Sequence, residues 1–206
     1  MTSVRKGNLL VLSAPSGGGK TTILQKALSL LDEIDFSVSY TTRVQRLTER
    51  DGLDYHFVTE EVFREKIAED QFLEWAEVHG NLYGTGRTET EAICESGRDV
   101  LLDVDVQGAD QVRKAKPDAI TIFMLPPSFE VLEKRLRGRQ QDSPEAIEKR
   151  LEAARSEIGR YIDYDYVVIN EELDHAADML RAIILAARGR PHSMEGLIRP
   201  IFESFQ

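Results

Sequence analysis

The stretch "APSGGGKTT", from Ala14 to Thr22, decides the fold of this chain. It follows a short apolar run, "NLLVLSA", that is typical of a buried strand. After it, apolar residues recur at helical spacing from about Lys20 to Leu31. A glycine-rich loop between a strand and a helix is the context that a phosphate-binding loop requires. The sequence therefore predicts a P-loop core of the α/β class.

Each part of this loop has a chemical reason. Its glycines let backbone N–H groups converge on phosphate oxygens, and the following helix points its positive end at the same anion. Lys20 can reach the β- and γ-phosphates, and the Thr21 hydroxyl suits Mg²⁺. The first glycine of the G-x-x-x-x-G-K-[ST] pattern is replaced by Ala14, which the loop tolerates if its φ stays negative. We predict that a nucleoside triphosphate is bound by the whole stretch, namely Ala14, Pro15, Ser16, Gly17, Gly18, Gly19, Lys20, Thr21 and Thr22.

Composition limits the other classes of function. Among the 206 residues, 26 Lys and Arg oppose 36 Asp and Glu, a net charge of -10 that argues against a broad nucleic-acid surface. The single cysteine, Cys94, excludes a disulfide framework and a Cys-rich zinc site, and we expect it to be buried. No apolar segment approaches the length of a membrane span, so we expect a cytoplasmic protein that does not bind membranes.

The rest of the chain predicts an insertion, a resumed βα pattern and a tail. From Phe36 to about Glu91 short alternating segments surround one helix, and buried strands and helices then return. Predicted helices cover 60–70 and 108–115, start near Ser128 and after Ser143, and end with 173–188. Residues 189–206 contain two glycines and two prolines, so we expect a loosely ordered terminus.

Seven ordered blocks then resemble those of guanylate kinases: "FSVSYTTR", "DGLDYHFV", "FLEWAEVHGNLYGT", "VLLDVDVQGA", "LPPS", "RLRGR" and "YDYVVIN". The resemblance implies a parallel sheet flanked by helices, with an inserted, mostly β subdomain that binds the nucleoside monophosphate and a helical lid. It implies transfer of the γ-phosphoryl group of ATP to GMP with Mg²⁺. The implied domain spans 5–188, with a core of 5–36, 93–127 and 162–188, an insertion of 37–92 and a lid of 128–161, followed by the extension 189–206.

The resemblance also implies which residues recognise guanine. Guanine presents two adjacent donors, N1–H and an amino group, and a carboxylate is their matching acceptor. Glu74 is similar to the guanine-reading glutamate of the family, and Asp103 to a second acidic contact near the amino group. Ser39 and Thr85 correspond to hydroxyl positions near the base. Without the resemblance, Glu74 would be interpreted as an ordinary solvated carboxylate.

Cationic side chains are implied for the phosphates. Arg43 and Arg46, with the phenols of Tyr55 and Tyr83, match the contacts to the GMP phosphate, although Gln45 replaces a usual proline between the two arginines. Arg135, Arg139 and Arg150 match lid arginines that stabilise the transferred group, and Gln140 departs from the usual glycine there. With Lys20 and Arg43 these three form the predicted catalytic set, and Arg135 and Asn170 are expected on the ATP side. Arg137 and Arg155 are predicted to lie on a solvated helix face.

Two aspartates at the end of a strand are candidates for the metal. Asp103 or Asp105 could hold Mg²⁺, directly or through water, together with Thr21. No general base is needed, because the attacking phosphate oxygen is already deprotonated near neutral pH. The four histidines show no pair with metal-ligand spacing.

Two alternatives stay open at this point. One is a related P-loop kinase acting on another small substrate, for instance a ribose bisphosphate. The other is a guanylate-kinase-like interaction module that has lost catalysis. The intact loop lysine and the arginines favour the enzyme. The use of dGMP, the oligomeric state and the role of the tail are left open by the sequence.

Overall fold

The computed structural model describes residues 5–15, 18–78, 80–138 and 143–206. Within these ranges the chain forms two sheets. The strands are β1 (Leu9–Ser13), β2 (Ile34–Phe36), β3 (Tyr40–Thr41), β4 (His56–Phe57), β5 (Phe72–Val78), β6 (Asn81–Gly86), β7 (Asp99–Asp103), β8 (Ile120–Leu125) and β9 (Tyr166–Ile169). The helices are α1 (Lys20–Leu28), α2 (Glu60–Ala68), α3 (Arg87–Glu95), α4 (Val106–Ala115), α5 (Phe129–Arg137), α6 (Pro144–Glu157), α7 (Leu173–Arg188) and α8 (Pro191–Glu203), with a 3-10 helix at Ile158–Asp163.

The larger sheet is wholly parallel, in the order β2-β7-β1-β8-β9. Helices α1 and α7 bury one face of it, for example through Ile23 and Leu180, and α4 packs on the other face through Val112. Because both faces are covered at its centre, β1, β7 and β8 are nearly continuous buried runs without alternation. The carboxyl ends of parallel strands meet at one edge, where such sheets bind ligands. The phosphate loop and the β7–α4 turn therefore lie at the same edge.

The smaller sheet has the order β4-β3-β6-β5 and belongs to the predicted insertion. Its core contains Phe63 of α2 with Phe72 and Leu82. Strand β5 lies at the edge of this sheet and packs against α4. The predicted fold class, a P-loop-type parallel sheet with a mostly β insertion, is confirmed.

The lid helices begin where the sequence predicts. The hydroxyls of Ser128 and Ser143 accept hydrogen bonds from the N–H groups of Val131 and Ala146, which caps α5 and α6. Helix α7 has the predicted bounds. Helix α1 ends at Leu28, three residues before its predicted end, because Ser29 serves as its C-cap.

The expectation of a loosely ordered tail is wrong. Residues 191–203 form α8, in which Pro191 occupies a first-turn position where its missing N–H costs nothing. The Ser193 side chain is buried and donates to the Asn8 side chain at 2.6 Å, and the Ser193 carbonyl accepts from the Lys6 N–H at 2.8 Å. These tertiary bonds outweigh the helix-breaking residues of the segment. In the part of the chain that the structure describes, none of the helices has the length and apolar content that crossing a membrane requires.

Candidate active site

The phosphate loop closes on itself at its glycines. Gly19 is the N-cap of α1 and has a φ of 87°, and a Cβ there would lie 2.5 Å from the Asn170 Nδ2. Both observations require glycine. The Gly18 N–H donates to the Pro15 carbonyl at 2.9 Å. Ala14 is buried and its φ is not positive, as its tolerance in the loop required. Ser16 and Gly17, predicted to bind ATP, lie outside the described residues.

Lys20 points into the cleft from the first turn of α1. Its Nζ lies 2.6 Å from the Asp103 Oδ1 and 3.3 Å from the Val104 carbonyl oxygen. The ammonium group is thereby held at the carboxyl end of β7. Thr21 and Thr22 follow it and are exposed. The structure thus brings the loop lysine and one predicted metal ligand together.

Asn170 and Arg135 complete this side of the cleft. The Asn170 side-chain amide donates to the Gly18 carbonyl at 2.8 Å. The Asn170 backbone carbonyl accepts from the Arg135 Nη2 at 3.1 Å. The Arg135 Nη1 is buried and has no hydrogen-bond partner among the described residues. A buried guanidinium donor without a partner is costly, and an anionic ligand at the loop would satisfy it.

Glu74 is buried next to the first turn of α4. Its side chain lies on β5, is 7% exposed, and accepts a 2.6 Å hydrogen bond from the Thr85 hydroxyl on β6. Burial raises the pKa of Glu74 to about 7; the Thr85 hydrogen bond opposes this rise and the charge of Asp105 adds to it. The charged Glu74 carboxylate is buried at a cost and receives hydrogen bonds from Thr85, so it is a strong acceptor for a ligand that offers donors.

The two aspartates of the β7–α4 turn lie on different sides. Asp103 pairs with Lys20, whereas Asp105 caps α4 by accepting from the Gly108 N–H at 2.8 Å. Gly108 also leaves room for Glu74, because a Cβ on it would lie 2.9 Å from the Glu74 Oε2 and 3.5 Å from the Asp105 Oδ1. Asp105 is therefore the acid beside Glu74, whereas the sequence analysis expected Asp103 to be the second acidic contact near the guanine amino group. An aspartate directly before a helix is the capping signal that could have separated the two.

The arginine loop is organised by a residue that the sequence analysis missed, Glu49. The Arg43 Nη2 lies 2.8 Å from the Glu49 Oε1, and the Arg46 N–H donates to the Glu49 Oε2 at 2.9 Å. Gln45, at the position of the usual proline, donates to the Glu49 carbonyl at 2.7 Å. Hydrogen bonds of Gln45 and Glu49 thus restrain this loop in place of the usual proline ring.

The aromatic residues lie beside Arg43. Its guanidinium is 5.3 Å from the Tyr55 ring centroid, and the Tyr55 and Tyr83 rings are 6.0 Å apart. Burial raises the pKa of Tyr55, and nearby negative groups including Asp103 contribute. Arg43, Tyr55 and Tyr83 therefore form one cluster. The Arg46 side chain is 73% exposed, and its Nη1 lies 4.0 Å from the Glu49 oxygen that binds Arg43.

The other residues named in the sequence analysis make no described contact with Lys20, Glu74 or Arg43. Ser39 is half-buried, and its carbonyl accepts from the His56 N–H at 2.9 Å. Arg150 is half-buried on α6, and Arg139 lies outside the described residues, as does Gln140. Arg137 pairs with Glu133 and Glu148 on the exposed face predicted for it. Arg155, also exposed, lies 4.3 Å above the Phe129 ring.

The chemistry of the donor set fits Mg²⁺ bound together with phosphates. Among the described residues, no cluster of three or more His, Cys, Asp or Glu side chains could enclose a metal. The edge of the sheet instead offers the Thr21 hydroxyl and the carboxylates of Asp103 and Asp105. Mg²⁺ is commonly held by one or two carboxylates together with substrate phosphates and water, so this set suffices.

Comparisons with known proteins agree with this geometry. The family described as Guanylate kinase matches residues 6–187. A guanylate kinase of Nitrosospira multiformis is 52% identical over 182 residues, covering 88% of this chain and 87% of the relative. That of Neisseria meningitidis serogroup B is 47% identical over 204 residues, covering 99% and 100%. The crystal structure of guanylate kinase from Anaplasma phagocytophilum superposes with a TM-score of 0.75 at 34% identity, covering 97% of each chain. On these grounds the chain belongs to the guanylate kinase family.

Proposed function

We propose that this protein transfers the γ-phosphoryl group of ATP to GMP, giving ADP and GDP. The observation that carries the proposal is that a buried carboxylate, Glu74, and the lysine of the glycine-rich loop, Lys20, both lie against the β7–α4 turn. The β7–α4 turn joins the two sides through Asp103 and Asp105. A phosphate cradle facing a lone buried acceptor is suited to a donor triphosphate and a purine that offers paired donors.

Guanine recognition rests on the Glu74 carboxylate in its charged form. Its oxygens accept from guanine N1–H and the adjacent amino group, and Thr85 holds the carboxylate in place. We assign the second acidic contact to Asp105 in preference to Asp103, because Asp105 is the acid beside Glu74. Ser39 directly precedes β3 of the inserted sheet, and we assign its hydroxyl to a contact near the base.

The GMP phosphate is assigned to Arg43, Tyr55 and Tyr83. Arg43 offers planar bidentate donors, and the two phenols offer hydroxyl donors next to it. Arg46 is exposed and joins this cluster by a side-chain rotation. Glu49 restrains Arg43 and Arg46 until the phosphate competes for them.

The phosphoryl group passes between two anions without a protein base. A GMP phosphate oxygen attacks the γ-phosphorus in line and the bond to the β-phosphate oxygen breaks, so that negative charge grows on the equatorial and bridging oxygens. Lys20 and Arg135 offer cations at the loop, and Arg139 and Arg150 would approach from the lid. Asn170 fixes the loop by binding the Gly18 carbonyl.

Mg²⁺ is the proposed metal cofactor. Thr21 and Asp103 would hold it, directly or through water, next to the phosphates, whereas Asp105 is assigned to the guanine contact. When bound, it neutralises charge on the β- and γ-phosphate oxygens. The cytoplasmic location stays a prediction from the sequence.

The test is an ADP-release assay with ATP and Mg²⁺ against GMP, AMP, CMP and UMP in turn. We expect turnover with GMP to exceed turnover with the other three by at least about a hundredfold, since unpaired buried acceptors reject the wrong base. Lys20→Met should abolish turnover and keep the unfolding transition, which excludes a contaminating kinase. An interaction module without catalysis would show no turnover with any nucleotide, and equal use of all four would refute guanine recognition.

A further inference from the structure

Gln111 makes a pair of hydrogen bonds that the proposed chemistry does not use. Its side chain, on α4, accepts from the Trp75 N–H at 3.1 Å and donates to the Trp75 carbonyl at 2.9 Å. Trp75 lies on β5, the edge strand of the smaller sheet, so that one side of its backbone faces no other strand. The Gln111 amide therefore bonds β5 as a neighbouring strand would. It is a direct polar link between the inserted sheet and the core.

The position of this link matters because Trp75 directly follows Glu74. One turn before Gln111 on the same helix lies Gly108, where a Cβ would approach the Glu74 Oε2 to 2.9 Å. Residues three apart on a helix lie on one face. Helix α4 thus leaves room for the carboxylate at one turn and fixes the strand that carries it at the next.

Asp105 is tied to the same helix. It caps α4 through the Gly108 N–H, so the Gln111 bonds set the spacing between β5 and Asp105 as well. A shift of a few tenths of an ångström would misplace two acceptors at once with respect to the guanine edge. Recognition by buried acceptors depends on such distances.

We propose that Gln111 is a positioning residue that holds Glu74 and Asp105 at the spacing that guanine requires, and so sets the selectivity for GMP. This rests on the proposed function of Glu74. Gln111 touches no substrate in this account. It acts through the backbone of Trp75.

The matched test is Gln111→Met, which keeps the length of the side chain and removes both hydrogen bonds, with Gln25→Met on an exposed face of α1 as the control. Loss of two hydrogen bonds is expected to raise the KM for GMP about tenfold, while the KM for ATP stays within about twofold. The preference for GMP over IMP, which lacks the amino group, should fall by a similar factor. The control variant should match the unmodified protein in all three quantities.

The only tryptophan in the sequence gives a second readout. Trp75 is partly exposed, and its fluorescence reports directly on β5. We expect Gln111→Met to increase quenching of this emission by acrylamide, with little change in the unfolding midpoint. A merely structural role would lower the midpoint and leave the ratio of GMP to IMP use unchanged.

A double-mutant cycle with Glu74→Gln separates this inference from the proposed function. If Gln111 acts through Glu74, Gln111→Met should add little to the GMP defect of Glu74→Gln. Additive defects would overturn the inference. The inference is also overturned if Glu74→Gln is impaired while Gln111→Met keeps the KM for GMP and the preference for GMP over IMP. If Glu74→Gln itself binds GMP normally, the proposed guanine recognition fails instead.

Discussion

Glu74→Gln should make the protein more stable while it impairs GMP binding. Burial holds the pKa of Glu74 at about 7, against 4.5 for an ordinary glutamate. Each tenfold change in acidity corresponds to about 1.4 kcal/mol, so the charged form costs the folded state about 3 kcal/mol above pH 7. Glutamine keeps the size and the acceptor for the Thr85 hydroxyl and carries no charge. The variant therefore escapes this cost.

The sign of the effect follows from proton binding. Because the pKa is raised on folding, the folded state binds a proton more tightly than the unfolded state, and its stability falls as pH rises from about 4.5 to about 7. Relative to the unmodified protein, the variant should gain about 3 kcal/mol at about pH 8 and less than about 1 kcal/mol at about pH 5. Other titrating groups are shared and cancel in the difference.

Urea unfolding of both proteins at the two pH values measures this directly. The same samples, titrated with GMP, should show weaker binding by the variant at pH 8, because its amide presents a donor to a donor. A stability difference that does not change with pH would refute the buried-charge reasoning. Normal GMP affinity in the variant would refute the assignment of guanine recognition to Glu74.

Three further predictions follow from the same contacts. Binding of GMP to the unmodified protein should weaken as pH falls below about 7, beyond what the phosphate's own titration explains, since protonated Glu74 is a poorer acceptor. Calorimetry on the unmodified protein and on Glu74→Gln measures this difference, and equal pH profiles of the two would contradict it. Asp99→Ala should cost about 3 to 5 kcal/mol in urea unfolding, because Asp99 is fully buried and pairs with Arg5 and Arg188. As a control, Asp35→Ala removes a surface ion pair with Arg98 and should cost less than about 1 kcal/mol. Ser193→Ala should cost about 1 kcal/mol in urea unfolding through its buried side-chain bond, and an unchanged midpoint would mean that this bond does not stabilise the fold.

Local patterns were sufficient for much of the fold. The apolar run, the glycines and the helical spacing around Lys20 predicted β1, the phosphate loop and α1. Apolar spacing after Ser128 and the capping position of Ser143 predicted α5 and α6. These features depend on neighbours in sequence. Helix α8 could not be predicted in this way, because hydrogen bonds of Ser193 to Lys6 and Asn8, which are distant in sequence, hold it in place.

The site needed long-range information. Nothing in "FLEWAEV" shows that Glu74 is buried, since its burial comes from the packing of β5 against α4. The two aspartates are separated by one residue, and only the fold directs Asp103 to Lys20 and Asp105 to Glu74. Glu49 and Gln111 carry no motif, and their roles arise from contacts with Arg43 and Trp75.

The comparison of kcat/KM for GMP and IMP in the unmodified protein and in Glu74→Gln tests the central claim most directly, because IMP differs from GMP only in lacking the amino group. We expect the unmodified protein to prefer GMP by at least about a hundredfold and the variant by less than about tenfold. Equal use of GMP and IMP by the unmodified protein, or an undiminished preference in the variant, would contradict the account.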